Sequence, residues 1–78
     1  MPRYFIDTND GDSLVRDEDG FTTDDIETAR ILAIDALPDM ARDKLPDGDA
    51  RSFTVSVRDE VGGVVYSAEL VFRGRWSP

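Results

Sequence analysis

The sequence contains no cysteine and no histidine. The first absence removes a disulfide framework, a thiolate nucleophile and any cysteine-based zinc site; the second removes the usual general base and the commonest metal ligand. Lysine is almost missing too, Lys44 being the sole one, at a place where a helix end exposes it. Long apolar runs are lacking: the longest, Ile31 to Ile34, is far short of the roughly 20 residues that a bilayer span needs. The opening Met1-Pro-Arg-Tyr has none of the apolar stretch of a secretion signal. A cytoplasmic protein that stays in water is therefore expected.

What is present fits one small folded domain. The 78 residues are 40% hydrophobic, 33% charged and 9% aromatic, too apolar for a chain kept disordered by charge and too polar for a membrane protein. Charge is uneven. Residues 1–50 hold 14 acids against 5 bases, whereas residues 51–78 hold 3 against 4, for a net charge of −8. A duplex-binding domain normally carries a basic excess, so nucleic acid is disfavoured as the main partner. The runs Asp17-Glu18-Asp19 and Asp47-Gly48-Asp49 fall where loops are expected, and solvated loop carboxylates are their simplest reading.

Arg3 to Thr8 favours β structure, and Asp10-Gly11 supplies two residues that accept a turn before Ser13-Leu14-Val15-Arg16. Strands are predicted at about 3–8 and 12–17, in a hairpin that pairs Ile6 with Val15 and Asp7 with Leu14. Thr22 and Thr23, followed by Asp24, Asp25 and Glu27, form a helix start: hydroxyls to accept orphan amides and carboxylates for the positive dipole end. From there Ile26, Ala29, Leu32, Ala33, Ala36, Leu37 and Met40 make one apolar stripe, with Ile31 left on the polar side. Pro38 lacks an amide hydrogen, so a kink or break is predicted near Leu37, with a second helical piece to about Leu45.

Ser52 to Arg58 alternates cleanly, with Phe53, Val55 and Val57 on one face. Val64 to Arg73 alternates too, placing Tyr66, Ala68, Leu70 and Phe72 inward. A Gly62-Gly63 loop would pair Phe53 with Phe72; a longer turn beginning at Asp59, with Gly62 in the left-handed region, is the alternative. The expected architecture is α+β, β-β-α-β-β: a four-stranded, antiparallel-rich sheet with its first strand central and one helix on one face. Its parts are a hairpin at 3–17, a helix at 23–45, a hairpin at 52–73 and a tail at 74–78. In that tail Trp76 either folds back or stays free for a partner.

Met1-Pro-Arg-Tyr-Phe-Ile-Asp, Asp10-Gly11-Asp12, Leu14 to Gly20, Glu27-Thr28-Ala29-Arg30 and Val57-Arg58-Asp59-Glu60 together resemble a family of short alphaproteobacterial proteins of unknown function. These open with a pattern close to Met-Pro-Arg-Tyr-Phe-Phe-His. The resemblance covers most of the chain and implies a shared fold but no activity. The sequence departs from the pattern at Asp7, where a histidine is usual, and at Pro38 within the helix. Phe21 to Leu37 is also similar, over that short stretch, to the helix start of the small HicB antitoxins.

No motif carries chemistry. Setting Gly11, Gly20 or Gly48 at the sixth position of a calcium loop puts Ile6, Val15 or Asp43 first and gives no closing glutamate. Gly62-Gly63 precedes a strand rather than a phosphate-binding helix. No catalytic, cofactor-binding or metal-binding residue is assigned. Arg51, Arg58, Arg73 and Arg75 with Trp76 form the one basic and aromatic grouping, suited to single strands, although solvated strand-edge arginines are the plainer reading. The sheet face away from the helix is more informative, because Phe5, Leu14, Val65 and Val71 lie there among charges, a mixture found at non-obligate interfaces. The favoured reading is a small non-catalytic protein-interaction module whose partner surface is Phe5, Leu14, Val65, Val71 and Trp76, acting as a weak homodimer or as an accessory to another protein. The alternative is a small regulator acting with nucleic acid or as an antitoxin-like partner.

Overall fold

The alternating segments become the two longest strands, and the amphipathic segment becomes the one helix. In the computed structural model, which describes residues 1–78, the order is β1 (Arg3–Asn9), β2 (Leu14–Val15), β3 (Phe21–Thr22), α1 (Ile26–Lys44), β4 (Ala50–Arg58) and β5 (Val64–Arg73). All pairings are antiparallel, in the order β2-β1-β4-β5, and β3 also pairs with β1. The α+β class, the single helix and the internal position of β1 stand as expected. The sheet has five strands rather than four because Phe21 and Thr22 lie opposite Tyr4 and Arg3.

The core is small. Ala29, Ala33 and Leu37 of α1 meet Phe53, Val55 and Val57 of β4, and these six are the buried apolar residues. Alanines on the helix let it approach the sheet closely, and the β-branched and aromatic residues of β4 fill the space. Tyr4, Ile6, Tyr66 and Ala68 pack around this centre, half-buried. The predicted stripe is narrower than its pattern: Ile26 is 48% exposed and Leu32 45%, because a single helix over the middle of the sheet leaves the stripe's margins without a partner. The radius of gyration, 14.3 Å, exceeds the roughly 11.5 Å of a compact chain of this length.

Both hairpins are longer at the turn than the two-residue loops Asp10-Gly11 and Gly62-Gly63 predict, for the same reason. In the first, Asp10 accepts hydrogen bonds from the amides of Asp12 and Ser13 through Oδ1, which builds a four-residue turn and leaves Thr8 opposite Val15 and Asn9 opposite Leu14. In the second, Asp59 Oδ1 accepts from the amides of Val61 and Gly63, and Gly62 takes φ 91°, so Phe53 faces Leu70 and Val55 faces Ala68. Each register therefore moves by two residues, which leaves the paired side chains on their predicted faces; the exception is a bulge after Val57, where Arg58 faces Val64. The 59–63 alternative is the one realised.

The helix starts later than Thr23. Thr23 donates its amide to the Pro2 carbonyl, and Asp25 is the cap, accepting from the amide of Glu27 at 2.9 Å. Pro38 does not divide the helix, which runs as one element to Lys44. No helix is long and apolar enough to cross a membrane.

Candidate interaction surface

The two edges of the sheet are finished differently. On the β1 side, β2 and β3 form an edge strand interrupted at residues 16–20, and polar groups fill the gap. Asp17 Oδ2 accepts the Ile6 amide at 3.0 Å, and its Oδ1 accepts the amides of Asp19 and Gly20. Asp7 Oδ1 accepts the Asp17 amide, and Arg58 donates to Asp7 from Nε at 2.6 Å and to the Asp17 carbonyl at 2.9 Å. The guanidinium lies 4.9 Å from the centre of the Phe5 ring. Gly20, at φ 69°, fits because a Cβ there would stand 2.7 Å from the Tyr4 carbonyl and 2.8 Å from Phe5.

The electrostatics follow from these bonds. The Arg58 hydrogen bond holds the Asp7 carboxyl below its ordinary value against the cost of burial, and the same bond raises Arg58. Burial pushes Asp17 up, but the amides of Ile6, Gly20 and Asp19 together outweigh it, so Asp17 also ends below the ordinary value. The acidic loop residue is thus an internal acceptor that closes the sheet edge. No group of three or more carboxylates is placed to hold a metal ion.

β5 is the other edge, and nothing pairs with its outer side. It runs ten residues with Glu69 as the one charge before Arg73. Natural edges are usually shortened, charged, bulged or broken by proline, and β5 has only a bulge at its start, opposite Arg58, and the charge of Glu69 before its end. Of the large hydrophobic side chains left exposed, Val61, Val64, Val65, Leu70, Val71 and Trp76 all lie on β5 or beside its ends.

The predicted partner surface divides. Val65 and Val71, 42% and 46% exposed, lie on the open face of β5, with Trp76 beyond it at 92%. Phe5 lies under Arg58 instead, and Leu14 is at the opposite edge, on β2. Between them the open face is polar, with Asp7, Asn9, Thr54, Ser56, Ser67 and Glu69 in adjacent rows. The arginine grouping divides also. Arg51 binds the Asp10 carbonyl and Asp12, and Arg58 binds Asp7, which leaves Arg73 and Arg75 exposed. Sequence reasoning missed the Asp7–Arg58–Asp17 network and the exposure of Val64 and of Leu70, the latter expected inward. The parity of Asp7 and Arg58, polar residues on one face, was the available signal for the first; knowing which strand ends the sheet was needed for the second.

Over residues 3–71 the chain matches the family described as Domain of unknown function (DUF6894). It belongs to that family. No curated protein and no solved structure matches the chain. In this DUF6894 domain the matched segment runs from β1 into β5, so both sheet edges lie within it and Trp76 lies beyond it.

Proposed function

We propose that this domain is a small, non-catalytic, cytoplasmic interaction module that engages protein through the β5 side of its sheet, and that it belongs with the short alphaproteobacterial proteins sharing its Met1-Pro-Arg-Tyr-Phe opening. The observation that carries the reading is the long unpaired β5 edge, with exposed apolar side chains gathered along it. Backbone groups on such an edge supply affinity by strand addition, and alternate side chains supply selectivity. The carboxylates best placed for acid and base work, Asp7 and Asp17, are instead accepting structural hydrogen bonds.

Amide exchange tests this. In dilute pure protein the outward amides of β5 should exchange fast, and in concentrated protein or in extract of the host cell they should slow. Protection that never reaches Val64–Arg73 overturns the reading. The nucleic-acid alternative has exposed Arg73, Arg75 and Trp76 in its favour. Trp76 is the only tryptophan, so its fluorescence should quench on titration with a single-stranded oligonucleotide at low salt if that alternative holds, and stay unchanged if it does not.

A further inference from the structure

We propose that the β5 edge pairs with the β5 edge of a second copy of this chain, antiparallel, about a two-fold axis passing through Ala68. The proposal rests on the interaction-module reading and supplies its partner. A two-fold axis perpendicular to the sheet makes the two β5 strands antiparallel and keeps both helices on one side of a continuous sheet. Helix-face residues must then lie opposite helix-face residues, so the axis passes through a residue and not between two.

Two such axes give the longest overlap of Val64–Arg73 with itself. An axis through Glu69 sets that carboxylate against its own copy and leaves Val65 opposite Arg73. An axis through Ala68 sets Val65 opposite Val71 on the open face, Tyr66 opposite Leu70 on the helix face and Ser67 opposite Glu69. Like charges directly opposite are unfavourable, whereas apolar pairs and hydroxyl–carboxylate pairs are favourable. Glu69 therefore selects the register by opposing the other one.

The ends of the strand agree with this choice. Antiparallel pairing brings the tail of one copy, with Arg73, Arg75 and Trp76, alongside the 59–63 turn of the other, with Asp59, Glu60 and Val61. Bases then meet acids. Trp76 and Val61, the two most exposed large hydrophobic side chains at 92% and 91%, come to the same place. They lie at opposite ends of one strand, and only a second copy in this orientation joins them. The copies also meet through the stretch 51–78, which carries three acids and four bases, and not through the acid-rich stretch 1–50.

The absence of cysteine makes the test direct. Ala68→Cys and Glu69→Cys are prepared singly and oxidised mildly, with sedimentation velocity run on the native chain. An Ala68→Cys residue on the axis lies within disulfide reach of its copy, so it should cross-link at least tenfold faster than Glu69→Cys. The native chain should sediment as a concentration-dependent dimer, and Trp76 emission should shift to the blue as it forms. Faster cross-linking of Glu69→Cys overturns the register, and a dimer in which neither variant cross-links overturns the β5 interface. A native chain that stays monomeric at millimolar concentration overturns self-pairing altogether; if host extract still protects the β5 amides, the interaction-module reading survives with another protein as partner, and if it does not, both fall.

Discussion

The β1 edge and the β5 edge belong to one sheet, yet one is sealed and the other is bare. Sealing comes from carboxylates: Asp17 takes up amides that a broken edge strand leaves free, and Asp7 and Arg58 hold it in place. The bare edge has the opposite composition, with one charge in its middle and valines on either side. Two of the acidic residues, Asp7 and Asp17, therefore have a structural use at one edge, and the unpaired edge lies in the stretch where acidity is lowest. Edge strands left long and apolar invite pairing, and of the two edges only β5 is left so.

Acid should have the largest effect on the sealed edge, because it acts on several of these carboxyls at once. Asp7 is lowered chiefly by its bond to Arg58, Asp10 by the amides of Asp12 and Ser13, and Asp17 by three amides that outweigh its burial. The unfolded chain takes up protons first as pH falls toward the ordinary value, 3.8. The stability these groups contribute is thus complete above that value and is lost as pH falls through the lower folded values. Thermal melts between pH 7 and about pH 2.5 should show a steep fall beginning near pH 4. Exchange should rise first at the amides of Ile6, Asp19 and Gly20; a uniform rise across β4 and β5 at the same pH would contradict this.

Asp7→Ala is the next largest effect. It leaves the Arg58 side chain, 10% exposed, facing the Asp17 carbonyl without its carboxylate. Removing one member of such a pair costs about 3 kcal/mol, which for a domain of this size lowers the melting temperature by more than about 10 °C. The same substitution should flatten the acid dependence. A loss below about 1 kcal/mol would show that the network is decoration.

The two glycines beside these edges differ in the space around them. Both have positive φ, but a Cβ at Gly20 meets the Tyr4 carbonyl and the Phe5 ring, while a Cβ at Gly62 meets nothing within 4 Å. Gly62→Ala should cost about 1 kcal/mol, the backbone penalty alone. Gly20→Ala should cost about 2–3 kcal/mol, since overpacking is added to that penalty. Urea midpoints of the two variants measure the gap; equal losses would mean that the 16–20 segment yields freely.

What the sequence makes legible here is parity. The alternation at Phe53-Val55-Val57 and Tyr66-Ala68-Leu70 places every side chain on its observed face, and the helix with Ala29, Ala33 and Leu37 inward follows from a period of 3.6 residues. Register is less legible, because Asp10 and Asp59 build turns of their own choosing and move each pairing by two residues. Phe21–Thr22 escapes because two residues carry no period, and its pairing with Arg3 and Tyr4 is fixed by the Asp17 bridge between distant segments. The partner surface suffered from the same blindness to order. Phe5, Leu14, Val65 and Val71 share a face by parity, but only strand order reveals that Leu14 and Val71 lie at opposite edges, with a polar centre between.

That separation yields the smallest effect on the folded monomer and the sharpest distinction between the edges. Val71→Glu and Leu14→Glu add the same charge to the same face, at positions 46% and 70% exposed. Neither touches the buried core of Phe53, Val55 and Val57, so each should change the stability of the monomer by less than about 0.5 kcal/mol. Their consequences for association differ. Val71→Glu puts a carboxylate opposite Val65 of the copy and beside Glu69, which should weaken self-association at least tenfold, whereas Leu14→Glu lies on the sealed side and should leave it unchanged. Sedimentation velocity of both variants over a common concentration range decides the matter. If Leu14→Glu is the one that dissociates the dimer, the interface is the β2 side of the sheet and not β5; if Val71→Glu unfolds the chain, β5 presents Val71 to the helix and not to solvent.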